Sequence, residues 1–301
     1  LLNNDQQPLF NRAIAGLYPT GSTIKPLIAS AALQEKIIKP QKELHCQGGI
    51  MIPHRYDPDI IYSFKDWKTH GFTDTRKAIA ESCNVYFYTI GGGYGNQEGL
   101  GPNKIKKYLE FFGWAETTDI DLPGEAKGSI PNPAWKKENK GENWWDGDTY
   151  NLSIGQGDIL VTPLQVTAAF SAVVNGGYLL EPQVVQKIVD SEKNLVETKQ
   201  IQIVRENFID FENLKIIREG MRGTVTYGTA TLLNSLPVEA AAKTGTAQSS
   251  KPDYFHNWIT VFAPYDDPQI VLTIVIEDVK ELQALPIPLA KEILNWYFSP
   301  K

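Results

Sequence analysis

Cysteine and histidine, two residue types that often organise a protein's chemistry, are scarce in this chain. Its 301 residues include only two Cys and four His, so a disulfide-rich scaffold is excluded. Lys and Arg (29) are outnumbered by Asp and Glu (35), which argues against a nucleic-acid partner or a general affinity for anionic membranes. No apolar run reaches the roughly 18 residues of a membrane span. The 42% hydrophobic content is ample for one large domain or two packed lobes.

A serine and a lysine follow a turn near the start of the chain. Pro19 and Gly21 predict the turn, and the apolar spacing after it predicts a helix from near Ser22 to about Gln34. Ser22 and Lys25 would share one face of that helix. A serine at a helix N-terminus, with an amine one turn away, suits a nucleophile activated by a base. Taken alone, S-x-x-K also occurs by chance as a helix cap followed by a surface lysine.

Two further motifs follow in a fixed order, Ser82-Cys83-Asn84 (S-x-N) and Lys243-Thr244-Gly245-Thr246 (K-T-G-T). Together with S-x-x-K they form the motif set of serine β-lactamases and penicillin-binding proteins. The chain resembles the transpeptidase domain of class B penicillin-binding proteins, over nearly its whole length. Five further sequence segments agree with this resemblance: Asn11-Arg12-Ala13, Ile120-Asp121-Leu122-Pro123-Gly124-Glu125, Ile154-Gly155-Gln156-Gly157, Thr162-Pro163-Leu164-Gln165 and Gly220-Met221-Arg222-Gly223-Thr224-Val225.

The segments predict an α+β fold. Three consecutive strands within 239–276 lack helical crossovers, which indicates an antiparallel sheet. This sheet would pack with the first and last helices in a sheet-containing lobe, roughly 1–35 and 180–301, while 36–179 would form a mainly helical lobe. Residues 43–73 are predicted to be irregular, and one helix is predicted from Thr75 through S-x-N to Ile90. The resemblance implies the same penicillin-binding transpeptidase and serine β-lactamase-like fold, with the site between the lobes.

The resemblance also assigns catalytic roles. Ser22 would be the nucleophile, and Lys25 its base, with a pKa lowered by burial and by the neighbouring Lys243. Ser82 would relay a proton between Lys25 and the leaving amine, and Asn84 would hold the donor amide and orient Lys25. Structural alternatives remain for the last two, a capping or buried hydroxyl for Ser82 and a turn residue for Asn84.

The K-T-G-T strand would bind the substrate. Lys243, Thr244 and Thr246 would hold the terminal carboxylate of a peptide, and Gly245 would let the ligand's backbone approach closely. The backbone N–H groups of Ser22 and Thr246 would form the oxyanion hole. The two threonines could also be ordinary strand residues.

The implied reaction cross-links peptidoglycan stem peptides through an acyl-serine that β-lactam antibiotics also form. The implied partners are a membrane glycosyltransferase and cell-elongation scaffold proteins. The family normally carries an N-terminal membrane anchor and a pedestal domain, absent from this sequence, so the resemblance implies a fragment from the periplasmic face of the bacterial inner membrane.

Two other functions stay open. A serine β-lactamase needs a group that activates water, and Glu125, Glu142 or the Tyr94-Gly95-Asn96 run could supply parts of such a site. A β-lactam sensor domain would use the same motifs only to bind the drug.

The chemistry needs no cofactor, but the two cysteines allow a structural zinc. Cys46, Asp66, His70 and Cys83 supply four zinc-type ligands, with Asp66 and His70 on one side if that segment is helical. The resemblance to the elongation-type branch, known as penicillin-binding protein two, points to the same site. Cys46 is the doubtful ligand, and the candidates to replace it are His45, His54, Asp57 and Asp59. A disulfide or two free thiols are the alternatives.

Overall fold

Ten α-helices and eleven short strands succeed one another in the computed structural model, which describes residues 7–54, 57–281 and 284–299. The first six and last two residues of the predicted domain lie outside these ranges. The helices are α1 (Arg12–Ala15), α2 (Lys25–Gln34), α3 (Thr75–Ala80), α4 (Asn84–Gly92), α5 (Gly101–Phe111), α6 (Pro133–Lys140), α7 (Asp146–Ser153), α8 (Pro163–Val174), α9 (Phe211–Thr226) and α10 (Pro286–Phe298). Two 3₁₀ segments cover Gly21–Ile24 and Thr231–Ser235.

The strands are β1 (Leu44–Cys46), β2 (Gly49–His54), β3 (Asp57–Lys65), β4 (Gly71–Thr73), β5 (Leu179–Leu180), β6 (Lys187–Val189), β7 (Leu195–Thr198), β8 (Ile203–Arg205), β9 (Ala241–Gln248), β10 (Tyr254–Ala263) and β11 (Ile270–Lys280). None of the helices in the described ranges has the length and apolar character of a membrane span.

The predicted antiparallel sheet is confirmed and has the order β11-β10-β9. Trp258 of β10 lies opposite Gly245 of β9 and Val275 of β11. Helix α9 contacts β9, and α10 contacts β10 and β11. Because β10 pairs on both sides, β9 is left as an edge strand within the described sheet.

A continuous hydrophobic core runs through both predicted lobes. It includes Leu27 of α2, Tyr86 of α4, Phe170 of α8 and Trp258 of β10, together with the fully buried Trp114. The boundary between the two lobes stays a prediction. Helix α2 lies at the centre, since every residue from Lys25 to Leu33 is buried. An all-round buried helix is an unusual place for a lysine, and its amine must find partners inside the protein.

The prediction that 43–73 is irregular was wrong. This segment contains β1 to β4, in which β1 pairs with β4 and β2 pairs with β3. The glycines and prolines lie at turns or in two-stranded ribbons, where every strand is an edge and proline is tolerated. Pro53, for example, lies inside β2 opposite Ile61.

The single helix predicted through S-x-N is instead two helices. α3 ends at Ala80 and α4 begins at Asn84. Between them Ser82 has a φ of 57°, in the left-handed region that breaks a helix. Cys83 then caps α4, its sulfur accepting a hydrogen bond from the Tyr86 N–H at 3.3 Å. The break turns the S-x-N side chains away from the helix axis and toward α2.

Candidate active site

A cleft of about 310 Å³ brings the three motifs together. Its walls come from the 3₁₀ turn before α2, the turn between α3 and α4, the loop after α7, and β9. The lining residues are Ser22, Trp67, Ser82, Asn84, Ile154, Gln156, Thr229, Thr244, Gly245 and Thr246.

Ser22 is the accessible residue of its turn. Its neighbours Gly21, Thr23 and Ile24 are buried, while Ser22 is partly exposed in the cleft. Its hydroxyl makes no hydrogen bond to the described residues. The helix predicted to begin near Ser22 does so as a 3₁₀ turn, and Lys25 is the first residue of α2 proper. Ser22 therefore presents an uncommitted hydroxyl next to the N-terminus of a buried helix.

The amine of Lys25 is fully buried and held by the S-x-N turn. Its Nζ donates to the Ser82 carbonyl at 2.7 Å, to Ser82 Oγ at 3.1 Å and to Asn84 Oδ1 at 2.6 Å. Burial lowers the pKa of Lys25 to about 8, because removal from water penalises the charged form. A useful fraction of Lys25 is therefore neutral near physiological pH.

Lys243 reaches the same hydroxyl from the opposite side. Its Nζ, also fully buried, donates to Ser82 Oγ at 3.0 Å and to the Thr244 carbonyl at 2.9 Å. Burial, and then the nearby Lys25 amine, lower the pKa of Lys243 well below its ordinary value. Neither amine is among the residues that line the cleft, but both donate to Ser82 Oγ, which belongs to its wall.

The rim of the cleft also contains residues that lie outside the three motifs. Thr229 Oγ1 lies 2.7 Å from Thr244 Oγ1, and the pair shares one hydrogen bond. Gln156 donates to the Thr246 carbonyl of β9 at 3.2 Å, and Trp67 and Ile154 complete the rim. Gln156 and Ile154 lie within a segment whose sequence resembles the family, whereas no sequence signal marks Thr229.

Gly245 lets β9 pack closely on the rest of the protein, and its predicted contact with a ligand's backbone stays a prediction. A Cβ on it would lie 2.8 Å from the Thr20 carbonyl oxygen and 2.8 Å from Thr23 Cγ2. The space where this Cβ would stand is filled by the protein's own 3₁₀ turn. Gly245 thus permits β9 to pack directly on the turn that carries Ser22.

Beneath the S-x-N turn lies a second group of reactive side chains. Ligand atoms of Asp66, His70 and Cys83 all lie within 4.8 Å of one another. Cys46 is outside this mutually close set, and its thiol donates to the Leu44 carbonyl at 3.8 Å. Both cysteines are buried and free, so the disulfide alternative is not what the structure shows. The segment from Asp66 to His70 is not helical, contrary to the condition attached to that prediction.

This second group fits a metal ion. His70 Nε2 is buried without a hydrogen-bond partner, although Asp66 Oδ1 lies 3.4 Å away. A buried, unpaired ring nitrogen beside a carboxylate and a thiol is costly unless something binds it. The other ring nitrogen, Nδ1, lies 2.8 Å from Glu81 Oε2, the outer partner that metal-binding histidines usually have. The proposed substitutes His45, His54, Asp57 and Asp59 are not part of this set among the described residues.

The groups that a β-lactamase would need lie elsewhere. Glu125 accepts hydrogen bonds from the Thr118 and Asp119 N–H groups, and Glu142 pairs with Lys136 at 3.5 Å. The Tyr94-Gly95-Asn96 run lines a separate cavity. None of these residues lines the catalytic cleft in the part of the chain that the structure describes.

Comparisons with known proteins agree with this geometry. A sequence profile described as the penicillin binding protein transpeptidase domain matches residues 2–295. The peptidoglycan D,D-transpeptidase MrdA of Haemophilus influenzae is 30% identical over 325 residues, covering 100% of this chain and 47% of that protein. The chain therefore spans about half the length of the curated relatives it matches.

Solved structures give the same result. Penicillin-binding protein PBP2 of Helicobacter pylori, in complex with MreC, is 30% identical with a TM-score of 0.82, covering 99% of this chain and 52% of that one. PBP2 of Pseudomonas aeruginosa, in complex with WCK 5153, is 26% identical with a TM-score of 0.84, covering 100% and 66%.

A Gly245→Ala substitution tests the packing of β9 on the 3₁₀ turn. We expect it to lower the free energy of unfolding by about 1–3 kcal/mol, because the added methyl overlaps backbone atoms. Thermal unfolding measures the effect. Gly147→Ala is the control, since its Cβ would approach only the ring of Phe64, at 3.0 Å. Equal melting temperatures for the two variants would contradict this explanation.

Proposed function

This chain belongs to the penicillin-binding protein transpeptidase family, and we propose that it is a serine D,D-transpeptidase that cross-links peptidoglycan stem peptides. The observation that carries the proposal is the arrangement of two buried amines, Lys25 and Lys243, on the hydroxyl of Ser82 beside an accessible Ser22. Two buried amines with lowered pKa values that share one hydroxyl beside a nucleophile suit a proton relay.

In the acylation step, neutral Lys25 takes the proton of Ser22 as its Oγ attacks the D-Ala-D-Ala carbonyl carbon. The backbone N–H groups of Ser22 and Thr246 stabilise the oxyanion of the tetrahedral intermediate. The C–N bond then breaks, and the proton passes from Lys25 through Ser82 Oγ to the departing D-Ala amine. The acyl-serine remains, and its charge balance is that of the starting state.

In the transfer step, the amine of a second stem peptide attacks the acyl-serine. Its excess proton returns through the same Ser82 and Lys25 path to Ser22, which is released as the leaving group. A β-lactam acylates Ser22 in the same way, but its leaving nitrogen stays attached and the adduct persists. The transpeptidase differs here from a drug sensor, which would form the drug adduct without turning over stem peptides.

Substrate recognition falls to the partly exposed threonines of β9. Thr244 and Thr246 line the cleft and can hold the terminal carboxylate, while the buried amine of Lys243 holds the Thr244 carbonyl. The hydrogen bond from Asn84 Nδ2 to the Lys65 carbonyl is long, at 3.5 Å. This N–H group can therefore exchange it for a hydrogen bond to the donor amide.

We further propose the setting in which the enzyme works. Because its proposed substrates are peptidoglycan stems, the enzyme would act at the periplasmic face of the inner membrane. A membrane glycosyltransferase would be its partner there and would supply nascent glycan. A scaffold protein of the MreC kind is the second partner, since a related PBP2 binds MreC.

A structural zinc is also part of the proposal. Asp66, His70 and Cys83 would hold it, and we propose Cys46 as the fourth ligand. Zinc would here supply rigidity and no catalytic step. Its ligand Cys83 lies between Ser82 and Asn84, so a bound ion would fix the turn that positions Lys25.

Ser22 is expected to carry the acyl group. After incubation with fluorescent penicillin, mass spectrometry of the digested protein should locate one adduct on Ser22, and Ser22→Ala should remain unlabelled. Full-length enzyme should also cross-link lipid-linked peptidoglycan. Labelling without cross-linking would favour the sensor, and rapid penicillin turnover would favour the β-lactamase.

Acylation should depend on pH through Lys25. The lowered pKa leaves less neutral amine below pH 8, so the rate should fall about tenfold per pH unit there and level off above it. Lys25→Arg keeps the charge but cannot act as the base, and should slow acylation by about 100-fold or more. A flat profile between pH 6 and about 9 would remove Lys25 from the role of base.

Zinc content should be about one equivalent in protein purified without a His tag. A chelator should lower the melting temperature and the acylation rate together, because metal binding is coupled to folding. Cys83→Ser should lose the metal, whereas the exposed His45→Ala should keep it. Freely titrating thiols with less than about a tenth of an equivalent of zinc would refute the site.

A further inference from the structure

Gln156 makes an unusual contact with the free edge of β9. Its Nε2 donates to the Thr246 carbonyl at 3.2 Å, and its Oε1 accepts from the Gln248 N–H at 3.3 Å. One side-chain amide thus serves a backbone acceptor and a backbone donor two residues apart. A neighbouring strand would normally supply this donor and acceptor.

The register shows that these are the groups of β9 available for pairing. The ladder with β10 includes the Ser249 N–H donating to the Tyr254 carbonyl, and Ala247 lies opposite His256. Because hydrogen-bonded positions alternate along an edge strand, Thr244, Thr246 and Gln248 point their backbone groups away from β10. The Thr244 carbonyl is taken by Lys243. The Thr246 carbonyl and Gln248 N–H are the next groups along the edge, and Gln156 holds both.

The backbone at Gln156 is fixed, so only its side chain can leave. The Gly155 carbonyl accepts from the Gly21 N–H at 2.8 Å, and the Gln156 N–H donates to Asn151 at 3.0 Å. A Cβ on Gly155 would lie 2.2 Å from the Gly21 carbonyl oxygen. The two hydrogen bonds to β9, in contrast, are at the long end of the usual range, and Gln156 is only partly buried.

We propose that Gln156 is a displaceable cap on the β9 edge, and that ligands which pair with this edge must replace its amide by their own. The proposal rests on the proposed function, since it concerns how a donor peptide enters the same cleft. An extended peptide adds to a free edge by donating to, and accepting from, alternate residues. The primary amide of Gln156 presents the same donor and acceptor as a peptide group, so it satisfies the edge while the cleft is empty.

The cap has a consequence for ligand choice. A donor stem, or a penicillin with an acylamino arm, carries an amide next to the reacting carbonyl and regains the hydrogen bonds lost from Gln156. A β-lactam without that arm cannot use the edge, and reacts with Gln156 still in place. Gln156 is therefore a positioning residue. It lowers the acylation rate of peptide-like ligands by a fixed factor, and it does not affect the rate of ligands without the acylamino arm.

The test compares two ligands that share one nucleus, benzylpenicillin and 6-aminopenicillanic acid, which lacks the acyl arm. The second-order acylation rate constant of each is measured by mass spectrometry for the wild type, Gln156→Ala and Gln156→Met. Removing the cap should raise the rate with benzylpenicillin about three- to tenfold. The rate with 6-aminopenicillanic acid should stay within about twofold. Gln183→Ala is the control, because this glutamine also donates to a backbone carbonyl but on an exposed segment away from the cleft.

Each other outcome would contradict the proposal that Gln156 is a displaceable cap. A slower reaction with benzylpenicillin would make Gln156 a ligand contact. Equal changes with both compounds, or no change with either, would leave it with no selective role. Gln156→Met keeps the side-chain volume, so it serves if Gln156→Ala unfolds, as judged by melting temperature. Failure of the wild type to form any Ser22 adduct would refute the proposed function, a result distinct from those that concern the cap.

Discussion

The hydroxyl of Ser82 is the point on which the catalytic arrangement depends. Lys25 donates to it from α2 and Lys243 from β9, at 3.1 and 3.0 Å. Two buried amines cannot both be charged without strong repulsion, and neither can be left without acceptors. The turn between α3 and α4 supplies these acceptors through one hydroxyl, one carbonyl and the Asn84 amide. Three separate parts of the chain must therefore meet at this short turn.

The turn is itself held in a conformation that serine rarely adopts. Ser82 has a φ of 57°, which costs free energy in any residue with a Cβ. The next residues offset that cost, since Cys83 caps α4 and Asp66 accepts the Val85 N–H at 2.9 Å. These two side chains belong to the group that fits a metal ion. The catalytic turn and the candidate metal site are thus one structural unit, and what stabilises the second also positions the first.

The sequence predicted the parts of this site that local patterns encode. The motifs, the antiparallel sheet and the last helix follow from spacing and alternation. It could not predict what depends on contacts between distant segments. The ribbons of 43–73 were missed because their glycines and prolines read as breaks. The packing of Gly245 on Thr20 was also missed, because a contact between residues more than 200 positions apart leaves no local trace in the sequence. Thr229 was missed for the same reason.

In the cleft, the residues that transfer protons are different from those that select the ligand. The groups that move protons are rigid, because Lys25 and Lys243 are fully buried and each amine has more than one partner. The groups that meet the ligand lie on the rim, where the two hydrogen bonds that hold the Gln156 amide are long. Backbone contact at Gly155 and Gly245 brings the loop after α7, the Ser22 turn and β9 within van der Waals distance, so little of the frame can shift. Adaptation to different ligands must then come from rim side chains, whose weak hydrogen bonds can exchange without disturbing the buried amines.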